Sequence, residues 1–164
     1  MIILGCVLDK LKSLILVLLI YSLGFVSGIY TLPILMAPSS PSMLEFATAT
    51  LNTKYQATIP DSLSGSDFLH YGVGTFSLSE KNIIFQGKLA PGPDYQIYLS
   101  PSFVEDEAQF LQNKQKMVRV GEVKSFNGFI LEVPKDVDIN KYSSLVIWCE
   151  AFREFITAAN YKKG

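Results

Sequence analysis

The sequence is short of most of what catalysis is built from. It has a single histidine, His70, so one chain supplies neither a histidine-based nucleophile–base pair nor a multi-histidine metal site. Its two cysteines, Cys6 and Cys149, are too few for a disulfide framework, and there is no C-x-x-C-H run to hold haem covalently. Phosphate-cradling glycine loops and Ser/His/Asp sets are also missing. Basic excess is missing as well: 14 Lys and Arg stand against 15 Asp and Glu, a formal net charge of −1. A nucleic-acid binder needs a basic footprint, so that partner class is excluded.

Charge is missing altogether from one stretch. Leu14 to Met36 contains no Asp, Glu, Lys or Arg, and at about 1.5 Å per helical residue it reaches roughly 34 Å, enough for a bilayer core. The expectation is a transmembrane helix over residues 14–36 that contacts lipid, with Pro33 ending or kinking it near Tyr30 on the far side. Lys10 and Lys12 precede the stretch, and the next basic residue is Lys54. The positive-inside rule then leaves residues 1–13 in the cytoplasm and the rest of the chain outside, periplasmic or extracellular. A cleaved signal peptide is the competing reading, but its apolar region is shorter and ends promptly in a small-x-small site; Ala47-Thr48-Ala49 comes too late. Cys6 and Cys149 would lie on opposite sides of the membrane, which rules out a bridge between them within one chain. Gly24 and Gly28 have the small-xxx-small spacing through which such helices pair, so a weak homodimer is an expected partner state.

Residues 37–54 begin with the Pro/Ser linker Ala37-Pro38-Ser39-Ser40-Pro41-Ser42, of the kind that holds a domain just off a surface. Residues 55–164 are long enough for one core. Lys54 to Ile59 alternates weakly as an opening strand. Phe68 to Leu78 and Ile83 to Leu89 read as a hairpin pair, and Tyr95 to Leu99, Met117 to Val123 and Gly128 to Val133 as further strands. Ser102 and Glu105 fit a capping box for a short helix through Lys114, with Glu105, Asp106 and Glu107 at its positive end rather than around calcium. Leu145 to Phe152, β-branched and aromatic, is a core strand with Leu145, Ile147, Cys149 and Ala151 on one face. The fold class is therefore mainly β: an antiparallel β-sandwich with one short helix, preceded by an N-terminal transmembrane helix.

Several separated motifs carry a family resemblance. Gly92-Pro93-Asp94-Tyr95 leading to Tyr98-Leu99-Ser100, then Val120-Gly121-Glu122-Val123-Lys124, then Asp138 through Phe152 with Ile147-Trp148-Cys149, resemble in order and spacing the DM-thirteen, or electron-transfer DM-thirteen, domain family. The likeness runs from about Tyr71 to Tyr161, one domain length. Gly28 to Leu35 followed by the Pro/Ser linker also looks like bacterial members with one membrane helix. The resemblance implies a β-sandwich module that often accompanies DOMON domains, some of which bind haem or sugars, and a redox role for the cysteine, here Cys149. No DOMON or cytochrome domain is evident in this sequence, so an electron path would need a separate envelope redox or membrane protein.

The residues alone leave two readings of Cys149 open. A free cysteine on an apolar strand row is a small hydrophobe with a raised pKa; Glu150 beside it would oppose a thiolate. The family reading makes it a redox thiol, and in an oxidising compartment it would also be free to pair between molecules. Trp148 reads as a core anchor. His70 is a candidate axial haem ligand with Met117 as its partner, against a plain satisfied polar residue. No cofactor is evident from sequence beyond haem brought by a partner. No catalytic constellation emerges, which leaves a redox accessory or a non-catalytic envelope interaction or assembly module.

Overall fold

Alternation of inward and outward side chains organises the β elements of the computed structural model, which describes residues 2–162 and the side chains from Asp9 onward. The expectation for the Cys6 thiol falls outside those residues. In β1 (Tyr55–Thr58) Ala57 is buried and Gln56 and Thr58 are exposed. β1 pairs antiparallel with β2 (Gly72–Leu78), β2 with β3 (Asn82–Leu89), and β3 with β6 (Phe129–Glu132). The second sheet has the order β5-β4-β7-β8, built from β4 (Tyr95–Ser100), β5 (Val118–Val123), β7 (Ser144–Cys149) and β8 (Glu154–Asn160). Together the two four-stranded antiparallel sheets form a β-sandwich, as the sequence pattern led us to expect.

The core between them is aromatic on the first sheet, where the Phe76 and Phe85 rings stand 4.6 Å apart and Phe129 adds a third ring 5.4 Å from Phe85. Ile97 of β4 lies opposite Ile147 of β7 and Gly121 of β5, and a side chain at Gly121 would meet Leu131 of the first sheet. The Ile97, Ile147, Leu145 and Cys149 row therefore faces the other sheet. The opposite row, Tyr98, Val146 and Trp148, is covered by α3 (Glu107–Asn113), whose Phe110 stacks on Trp148 at 4.0 Å and 12°. With both faces covered, β4 and β7 are buried along their whole length.

The expected boundaries need correction in four places. The second strand starts at Gly72 rather than Phe68, because the Asp67 carboxylate accepts hydrogen bonds from the Leu69 and His70 N–H groups, 2.7 Å each, and bends the chain there; His70 thus stands in a turn and not on a strand. β7 stops at Cys149 instead of Phe152, since the chain turns through Glu150–Arg153 with Arg153 at φ 58°. β8 follows where no strand was expected. The short helix is capped by Asp106, which accepts from the Gln109 N–H, and not by Ser102, whose carbonyl instead accepts from Ser100 Oγ.

At the N-terminus, α1 runs Ile2–Met36 and passes through Pro33. Pro33 lies one turn from the end, so it deprives only the Ile29 carbonyl of a partner. The capping box of this chain belongs to α2 (Met43–Thr50), where the Ser42 hydroxyl and Glu45 carboxylate satisfy each other's backbone N–H groups. The segment between the two helices is not a free tether. Ala37 packs on the core, and Ser40 Oγ donates to the Asn127 carbonyl at 2.9 Å. Phe46 of α2 sits against Gly128, whose φ of 103° leaves no place for a side chain.

Candidate functional site

Cys149 ends β7 at the edge of the sandwich where the Pro91-Gly92-Pro93-Asp94 turn enters β4. Its Sγ donates to the Pro93 carbonyl at 3.0 Å. Gly92 is needed there, because a side chain would run into the Tyr95 hydroxyl at 2.5 Å. The residue is only 2% exposed and belongs to the core, and it is also one of the residues lining a cavity of about 170 Å³. One wall of that cavity is the domain, with His70, Pro93, Tyr95 and Phe152; the other is α1, with Val26, Ile29 and Tyr30.

Burial pushes the Cys149 thiol above its ordinary range, although the Phe152 and Ala151 N–H groups point the other way. The carboxylates that add to the upward push are Asp94 and Glu154, across the turn. Glu150, expected from its position to oppose a thiolate, is engaged elsewhere. Its carboxylate takes the Tyr98 hydroxyl and the Lys114 ammonium, the latter at 2.7 and 2.9 Å. Cys149 is thus a neutral thiol in an apolar cleft, a poor nucleophile until a base or an electron acceptor reaches it.

His70 lines the same cavity as Cys149, a juxtaposition with no signal in the sequence because 78 positions separate them. Its Nδ1 lies 3.2 Å from Asp67 Oδ2, which orients the ring. Met117 is not brought near it. That residue directly precedes Val118, which pairs with Leu99 at the end of β4 opposite to Tyr95 and Cys149. The His70–Met117 pair therefore does not fit as a haem-ligating couple within this chain. Ala151, expected beside Cys149 on one strand face, is exposed in the turn. Trp148 is fully buried under Phe110, as a core anchor should be.

The fold and the cavity define a β-sandwich domain with one buried thiol at its edge. The chain belongs to the electron transfer DM13 family, whose model matches residues 62–161, well over half of its length. No curated protein and no solved structure matches the chain. The matched region takes in the cavity turn, Cys149 and all strands but β1.

Proposed function

We propose that the chain is a single-span, membrane-anchored module of the electron-transfer family, with residues 1–13 cytoplasmic, the sandwich extracytoplasmic and Cys149 as its redox-responsive thiol. Asp9–Met36 is long and apolar enough to cross a bilayer, and Lys10 and Lys12 favour the cytoplasm for the end that carries them. The observation that carries the redox reading is that Cys149, although buried, is one of the residues lining a cavity at the end of the sandwich. Joining it to a partner's thiol would release two protons and two electrons to an acceptor on a redox partner in the same envelope. Any cofactor, haem included, would come with that partner. Gly24 and Gly28 have nothing from the domain within 4 Å and offer a face for a second copy.

The Pro93 hydrogen bond and the raised thiol pKa favour a second reading, an interaction or assembly module in which Cys149 is a core residue. Thiol labelling of the full chain in a Cys6→Ser background separates the two. The redox reading expects a small apolar maleimide to label Cys149 in the folded protein and Cys149→Ser to leave the melting temperature nearly unchanged. Labelling only in denaturant, together with a destabilised Cys149→Ser, would leave the assembly reading standing alone. Protease added from either side of sealed membranes tests the orientation.

A further inference from the structure

The last turns of α1 do not project freely from the domain. Ile29, Pro33 and Ala37 are half-buried at four-residue spacing, and this face of the helix end lines clefts together with residues of the sandwich such as Pro93 and Phe152. Ala37, the Ser40–Asn127 hydrogen bond and Phe46 on Gly128 then fix the chain that follows. These contacts hold the sandwich close to the end of α1.

A hydrocarbon core takes about 20 helical residues. Counted from Ser13, the position after Lys12, it ends near Leu32. Val26 then lies about 9 Å below the far boundary, and Ile29 and Tyr30 lie closer to it. Leu69 and Phe152 share a cavity with these same helical residues. With the span so placed, they would stand level with lipid and not above it.

The surface around them is unusually apolar for one in water. Phe68 is 84% exposed, Val73 66%, Phe152 52% and Leu69 45%. Exposed basic residues adjoin this lip, Arg153 after Phe152 and Lys88 paired with Val73 across the first sheet, and one carboxylate, Glu154, lines the cavity beside them. Apolar side chains beside cations suit the region between acyl chains and phosphate headgroups.

We propose that this lip docks on the leaflet of the bilayer that α1 spans, with Phe152 and Leu69 inserted, so that the Cys149 cavity opens at the lipid interface rather than into bulk water. The inference rests on the membrane-anchor reading above. It narrows the redox partner to a membrane-bound protein or a lipid-soluble electron carrier, since either reaches such an opening sideways.

The test uses the full chain reconstituted into phosphatidylcholine vesicles with or without dibrominated acyl chains, which quench tryptophan on contact. Wild type gives the Trp148 baseline. Phe152→Trp should gain emission that brominated lipid quenches at least about twofold, while the emission added by Asp136→Trp, exposed at the opposite end of the sandwich, should be unaffected. Leu69→Trp provides the same reading should Phe152→Trp fail to fold. Release of the chain by an alkaline carbonate wash would remove the anchor reading and this proposal with it. Retention in the vesicles with unquenched tryptophan at 152 and 69 would overturn the docking alone. Unquenched but blue-shifted emission that reverts on dilution with lipid would overturn it too, and would assign the lip to a second copy.

Discussion

Lys114 Nζ stands 2.7 Å from Glu150 Oε1, and the same ammonium lies 5.6 Å from the Phe110 ring centroid and 5.9 Å from that of Trp148. One cation thus closes the outer layer of the second sheet, joining the turn after α3 to the turn after β7. Burial pushes the Glu150 carboxyl up, but the hydrogen bonds from Lys114 and Tyr98 outweigh it and hold its pKa below the ordinary carboxylate range.

A carboxylate with a depressed native pKa stabilises the fold above its unfolded pKa, and that contribution is lost as pH falls through the native value. Lys114→Met should cost about 0.5–1 kcal/mol at neutral pH, small because both side chains are partly exposed and solvent-screened. The difference between variant and wild type should shrink below about pH 4.3, where the unfolded carboxyl is itself protonated. Urea melts at pH 7 and at decreasing acid pH check this; a gap that persists unchanged in acid would contradict it.

The opposite sign applies at high pH. Burial raises the phenols of Tyr95, Tyr98 and Tyr161 above their ordinary value of 10.0. Protonated phenol is favoured in the native state, so stability is intact below pH 10 and falls as pH rises beyond it. Alkaline unfolding followed by circular dichroism should begin near that point, with Tyr98→Phe shifting the onset upward.

Removing the ring beneath the indole should be far more costly than removing the cation above it. Phe110 is fully buried and stacks on Trp148, and Phe110→Ala should lose about 3–5 kcal/mol. Trp148 emission should move to the red as water reaches the indole, whereas Phe110→Leu should keep most of the stability.

Gly74 and Gly87 lie opposite each other in the first sheet, and a side chain on Gly74, at φ 146°, would come within 2.7 Å of the Gly87 Cα. Gly74→Ala should therefore cost about 1–3 kcal/mol from backbone strain alone. A thermal melt within about 1 °C of wild type would show that the strand can shift.

The strands were legible wherever one face is wet. β1 and β5 keep exposed positions beside buried ones, which marks them as strands with one wet face. β7 is buried on both faces, and its apolar run continues through Ala151 and Phe152, so nothing in the hydrophobic pattern announced the turn at Glu150–Arg153. β8 was missed for a related reason: Thr157-Ala158-Ala159 is buried throughout but has little apolar bulk or alternation. Ser42–Glu45 and Ser102–Glu105 match the same capping pattern, and only the first is used, because Asp106 outcompetes Ser102 for the start of α3. Cys149 was legible as a candidate, but the cavity was not. Its walls come from residues around positions 26–30, 69–70, 91–95 and 149–156, and no spacing rule connects a membrane-type helix with the turn of a distant strand.

At about 100° per residue, the Gly24–Gly28 face and the Ile29–Pro33 face lie about 140° apart around the helix axis. Two chains joined through their glycines would carry their sandwiches outboard, on opposite flanks of the pair, with both helices standing between the two Cys149 cavities. Such a pair cannot cross-link itself through Cys149. Its geometry would instead leave each thiol to its own neighbour in the membrane.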